Sequence, residues 1–177
     1  MRTQRLAQQA VLGADSVGGL LAPGSRRQQG KSKLGVATMP ATNETASDNL
    51  SDLKAKVNGE AIGAFLGMKL LELRPGHARV SMKLRPEYLT FNGFTFGGII
   101  MSVADQAFAC AVNSFGRPSV ASQFNMHFIS GARPGDDLVA ECSVVRTGKR
   151  VDIAEMTVVN QEGKLIAQAT GTAIPIQ

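Results

Sequence analysis

The stretch FGGIIMSVADQAFACAVNS, residues 96–114, decides the fold. Its apolar spacing predicts one long helix from Gly97 to Ser114, closed by Gly116 and Pro118. A helix this apolar must be covered on most sides. It carries one carboxylate: between Tyr88 and Arg133 the only acidic side chain is Asp105. The helical neighbours of Asp105 at three and four residues are Met101, Ser102, Phe108 and Ala109. A charge on such a face loses solvation unless something offsets it. Asp105 is therefore a candidate for chemistry, or else a buried anchor bonded to backbone or to Ser102. Gly97-Gly98 stands where the helix begins. Free N–H groups and the positive end of the dipole can meet a developing negative charge there, and a glycine pair equally serves a tight helix entry packed on a sheet.

Working outward, a helix is predicted from residue 48 through Leu50, Leu53, Val57, Ile62 and Leu66, loosened by Gly59, Gly63 and Gly67. Strands follow at 68–73 and 77–84, joined at Pro75-Gly76. The second alternates Ala78, Val80, Met82 and Leu84 against Arg79, Ser81 and Lys83. Residues 86–95 form an aromatic-rich connection with Asn92-Gly93 at its tip. After the long helix come four strand-like runs, 120–129, 138–146, 151–160 and 165–174. Their hairpin-length connections make these strands antiparallel. The expected class is α+β, with a curved antiparallel sheet wrapped around one central helix. Only one face of that sheet packs on the helix, so its edges and outer face call for subunit pairing.

With 177 residues, 44% hydrophobic and 19% charged, the chain has the composition of one well-buried globular domain. The net charge of +5 belongs to the N-terminal arm. Residues 1–43 hold Arg2, Arg5, Arg26, Arg27, Lys31 and Lys33 against Asp15 alone, and residues 44–177 are balanced at 13 basic and 13 acidic. The folded domain therefore gives no ground for a nucleic-acid surface. No apolar run approaches the ~20 residues that span a bilayer. Residues 1–49 read as a disordered basic arm, and 50–177 as the folded domain. The arm fits a mitochondrial-type transit segment over residues 1–40, or an upstream extension with Met39 as the natural start. The expected location is accordingly the cytoplasm, or the mitochondrial matrix if that segment is a transit peptide. Cys110 and Cys142 form no CxxC pair and read as buried reduced thiols. With only His77 and His127 in the chain, no metal site is expected.

The residues resemble the PaaI-type hotdog-fold acyl-CoA thioesterases. That family's signature is a glycine, a short spacer, His-Gly-Gly, a few apolar residues and Leu-Ala-Asp. Here it reads Gly93, then Phe96-Gly97-Gly98, then Val103-Ala104-Asp105. Further matches follow in register at 109–116, 120–128, Pro134-Gly135-Asp136, Gly148 and 163–171, so the resemblance covers about residues 50–177. It implies a hotdog fold, hydrolysis of aryl or fatty acyl-CoA thioesters, no cofactor, and a homodimer assembling to a homotetramer.

Residue by residue, the resemblance puts the catalytic carboxylate on Asp105, as general base or as nucleophile, and the oxyanion-binding N–H on Gly97. Gly98, Asn92, Phe96, Ser122 and Asn125 fall in the substrate-binding set, with Ser122 or Asn125 reaching in from a neighbouring subunit. Two positions depart from the pattern. Phe96 stands where the family has His, and Thr90 aligns with a family Asn, with Asn92 close by. A non-catalytic acyl-CoA-binding protein on the same fold is the alternative. Phe91, Phe94 and Phe96 are candidates for lining an acyl or aryl pocket, or for core packing. Arg146, Lys149 and Arg150 crowd one turn, either as a solvated tip or as a site for CoA phosphates.

Overall fold

The computed structural model describes residues 43–176, with side chains from residue 48. The arm expected over residues 1–49 lies outside these residues up to position 42. Helix α1, Asn43–Asn58, begins ahead of the expected boundary at 50. The single helix expected from 48 to 66 is two. The Gly59 amide bonds to both Ala55 O (3.1 Å) and Lys56 O (3.2 Å), ending α1, and Glu60 is extended (φ −75°, ψ 124°). A short α2, Ala61–Leu66, follows and stops at Gly67, whose left-handed φ of 72° suits a residue without Cβ.

Strands β1 (Met68–Arg74) and β2 (His77–Lys83) form a hairpin, and a single 3-10 turn, Pro86–Tyr88, leads to α3, Gly97–Asn113. Strands β3 (Ser119–Phe128), β4 (Asp137–Thr147), β5 (Asp152–Val159) and β6 (Leu165–Pro175) complete one six-stranded antiparallel sheet, ordered β1-β2-β4-β5-β6-β3. β3 precedes β4 in the chain but does not pair with it; it crosses to the far edge and pairs with β6.

The sheet curls around α3. Ile100, Val103, Ala104, Ala107, Phe108, Cys110, Ala111 and Val112 are buried against the inward residues of the strands, such as Val80, Met82, Leu138, Ala140, Met156, Val158 and Ala169. Each large side chain buried this way contributes about 1.5–3 kcal/mol. The three alanines keep the helix close to the sheet. Gly171 on β6 does the same from the other side, since a Cβ there would stand 2.8 Å from Phe108 Cζ. Cys110 and Cys142 are buried and free, and burial pushes each thiol up to about 12. Among the described residues no helix is long and apolar enough to cross a membrane.

The ten-residue β3 is an unpaired edge, exposed along most of its length. A long unpaired edge is a surface that proteins ordinarily cover or pair.

Candidate active site

The entry to α3 is pinned before the helix begins. Phe96 N–H donates to Tyr88 O at 2.8 Å, Thr90 N–H to Phe94 O at 2.7 Å, and Thr95 Oγ1 to Ala132 O at 2.7 Å. Phe96 is the N-cap, extended at φ −62° and ψ 125°, and it gives the helix no side-chain cap. The first amides of any helix lack intrahelical partners, so Gly97 and Gly98 carry donors that the helix does not use. Two phenylalanines flank them. A Cβ on Gly98 would stand 2.5 Å from the Phe96 ring, and one on Gly97 would stand 3.0 Å from Phe128 Cζ. Both rings are more than half exposed, at 56% and 54%. The positive end of α3 therefore opens between two apolar walls, where a donor acts more strongly than in bulk water.

Asp105 lies two turns further along the stripe Gly97, Met101, Asp105, Ala109. On the single protomer that stripe is open, with Asp105 and Ala109 exposed and Met101 at 36%. The burial expected for Asp105 is thus not supplied by its own chain, because the sheet covers the opposite side of the helix. Nor is Asp105 an anchor: Ser102 Oγ donates to Gly98 O at 2.7 Å, and among the described residues no hydrogen bond reaches the Asp105 carboxylate. Partial desolvation, and second the negative charge of Glu60, raise its pKa above the ordinary aspartate value. Glu60 sits in the break between α1 and α2, where its Oε2 accepts from Gln106 Nε2 at 2.8 Å. A cavity of about 290 Å³ opens beside this pair, lined by Leu53, Val57, Ala109 and Cys110 among others.

Gly97 and Asp105 do not form one site within a chain. Eight residues at 1.5 Å rise put them about 12 Å apart along the axis, too far for one carbonyl to touch both. The other expected site residues are scattered. Asn92 is held at the tip of its turn, where its Oδ1 accepts from Thr90 Oγ1. Ser122 is the extra residue of a bulge in β3, exposed on the edge strand, and donates to Thr172 O at 3.1 Å. Phe124 turns inward, its ring edge-on to Phe108 at 5.9 Å, so Asn125 points to the outer face opposite Thr170. Among the described residues no group of three His, Cys, Asp or Glu is arranged to hold a metal ion. Sequence reasoning missed Glu60 and Phe128; an acidic residue directly after a helix-breaking glycine was the available signal for Glu60, and none marked Phe128.

Comparisons with known proteins agree with this architecture. The family model of the Thioesterase superfamily matches residues 92–167. A putative esterase of Archaeoglobus fulgidus is 39% identical over 108 residues, 61% of this chain and 70% of that protein. Acyl-coenzyme A thioesterase PaaI of Escherichia coli K12 is 32% identical over 117 residues, 66% of this chain and 84% of the relative. The solved structure of the E. coli PaaI protein from the phenylacetic acid degradation operon superposes with a TM-score of 0.70 at 30% identity, covering 77% of this chain and 97% of that one. With a central helix wrapped by six antiparallel strands and the glycine pair at the helix start, the chain belongs to the thioesterase superfamily as a thioesterase of the PaaI-type hotdog-fold family.

Proposed function

We propose that the protein hydrolyses acyl-CoA thioesters, aryl or fatty acyl, to free acid and CoA, at a site that two protomers build together. The observation that carries this is the 12 Å gap between donor and carboxylate on one open stripe of α3, beside an unpaired β3 edge. Antiparallel pairing of two β3 edges extends the sheet and lays two α3 helices side by side in opposite directions. A two-fold axis passing near exposed Met101, midway along the gap, brings Gly97 of one protomer opposite Asp105 of its partner. Ser122, at the bulge on the pairing strand, then lies in the interface. Asn125, on the outer face, takes no part.

In this arrangement the thioester carbonyl oxygen accepts from Gly97 N–H at the positive end of α3, with the Gly98 amide next to it. Asp105 of the partner then acts in one of two ways. It takes a proton from a water that attacks the carbonyl carbon, or it attacks the carbon itself to form an anhydride that water opens. Both routes break the C–S bond, expel the CoA thiolate and leave the free acid. Two such dimers make the homotetramer. Phe96, whose side chain neither donates nor accepts where the family has His, is the observation that favours a protein binding the ester without turning it over. Free-thiol release from a panel of acyl-CoA esters decides: tight binding with no thiol above background establishes that second reading.

The shared site has its own test. Asp105→Asn and Gly97→Pro proteins are co-refolded at equal amounts. Half of the dimers are then mixed, each with one site holding both native groups, so thiol release recovers to about a quarter of wild type. No recovery on mixing, or a monomer by sedimentation, overturns the two-protomer site.

A pH dependence follows from Asp105. Activity needs its ionised form, so kcat/KM falls as pH drops through a pKa raised above the ordinary aspartate value. Glu60→Gln removes the second cause of that raise and moves the acid limb to lower pH. An unmoved limb in the pH profile removes Glu60 from the site.

A further inference from the structure

Helix α1 carries Leu50, Leu53 and Val57 at helical spacing, and all three are half-buried against the core. The helix runs antiparallel to α3. Just past its C-terminal end, Glu60 Oε2 accepts from Gln106 Nε2 at 2.8 Å. Its earlier turns lie over the other end of α3, where a Cβ on Gly116 would stand 2.8 Å from Asn49 Nδ2. Between these two ties α3 sets Ala109 and Cys110 against Leu53 and Val57. Side chains this small leave a groove, the cavity of about 290 Å³ beside Asp105, where close packing would ordinarily leave none.

The polar groups along the groove are already used. Gln106 is held by Glu60. Asn113 Nδ2 donates to Ala109 O at 2.9 Å and to Ser119 O at 3.1 Å, and its Oδ1 accepts from Ser119 N–H at 2.9 Å. Lys56 is exposed at the rim. The remaining walls are apolar. At the far end Leu53, Lys56 and Asn113 also line a second cavity of about 260 Å³, whose further walls include Asn49, Asp52 and Arg117. Leu53 is the apolar side chain at the boundary between the two.

We propose that this groove receives the acyl chain of the thioester and that Leu53 sets its length. The assignment rests on the acyl-CoA reading and names the acyl groups that the site takes, unbranched chains of medium length. The groove opens onto the stripe that carries Asp105, because Ala109 belongs to both. From Asp105 to Asn113 is eight residues, about 12 Å along the helix axis. Three bonds of a fully extended chain cover about 3.6 Å, so about ten bonds fill that length. Pairing of two protomers closes the open side. With antiparallel α3 helices related by an axis near Met101, the partner's Phe96 comes opposite Gln106. Its ring, more than half exposed on the single protomer, then roofs the entrance to the groove.

The test measures kcat/KM for straight-chain CoA esters from butyryl to palmitoyl, and for an aryl ester, in wild type, Leu53→Ala and Leu53→Phe. Calorimetric titration with S-(2-oxoalkyl)-CoA ketones of the same lengths, which have no thioester bond to break, runs beside it. Wild type is expected to favour medium chains and to fall off at long ones. Leu53→Ala joins the two cavities and raises the ratio of long to medium chains about tenfold, and Leu53→Phe shifts preference towards short chains by a similar factor. The butyryl ester does not reach Leu53, so it keeps its wild-type kcat/KM in both variants and reports an intact fold. An optimum that stays in place in both variants, or equal losses at every length, overturns the groove. So does an aryl ester that outruns every chain and is untouched by either variant. If wild type releases no thiol from any ester, the hydrolytic reading fails and the ketone affinities decide alone. A length dependence that moves with Leu53 supports the groove, and a flat one overturns it.

Discussion

Asp105→Asn is expected to lower thiol release from an acyl-CoA by about 10²–10⁴-fold, the usual contribution of a positioned acid–base group. Asn keeps the shape and polarity of the side chain, and no hydrogen bond among the described residues depends on the carboxylate, so the fold has nothing to lose. Stability changes in the opposite direction. The folded state holds the Asp105 proton more tightly than the unfolded chain does, because desolvation and Glu60 raise the pKa. The unfolded state therefore binds fewer protons between the two pKa values, and stability falls as pH rises through that window. Above both pKa values the native residue is ionised and unfavourable, so Asp105→Asn holds or raises Tm there. A carboxylate serving as a structural anchor gives the reverse pair of results, a lower Tm with turnover largely kept. Measuring both on one preparation separates the two roles, and unchanged turnover would sink the assignment of Asp105.

Much of the fold was legible because period and punctuation are local. The apolar run of α3, the period-two alternation of β2 and the Pro75-Gly76 turn each speak through neighbours in the chain. What was not legible depended on partners far away in sequence. The β3–β4 connection is short enough for a hairpin, and nothing within it says that β3 will pair with β6 instead. The break at Gly59 was visible only as a loosening, because whether a helix bends or ends there depends on what packs against it.

The candidate site divides along the same line. The glycine pair and Asp105 stand out because the sequence around them is otherwise apolar and free of acids. Their spacing of eight residues looked like one site. A straight helix turns that spacing into about 12 Å and so into two half-sites. Which side Asn125 faces was not legible either: the extra residue Ser122 breaks the alternation on β3, and Phe124, not Asn125, faces the helix. Phe128 reaches Gly97 only because β3 runs along the sheet edge beside α3, and no local pattern carries that contact.

Gly97→Pro is expected to lower kcat by about 10²–10³-fold with little change in fold, the cost of removing one oxyanion donor. Proline deletes the N–H, and position 97 is where a helix accepts it. Gly97 is the first residue of α3, the N1 position at which proline is favoured because its amide has no intrahelical partner. The preceding residue must be extended, and Phe96 already is, at φ −62° and ψ 125°. The N–H of Phe96 keeps its bond to Tyr88 O at 2.8 Å, so the entry to the helix stays tied. The added Cβ is a steric contact: at 97 it stands 3.0 Å from Phe128 Cζ, and that ring is more than half exposed and free to give way. Gly97→Ala makes the same contact and keeps the donor, so it isolates the two effects. If the N–H holds the oxyanion, Ala retains most of the turnover and Pro loses it, with circular dichroism and Tm alike in both. Equal losses in the two variants would assign the effect to displacement of Phe128 and would remove the Gly97 amide from the chemistry.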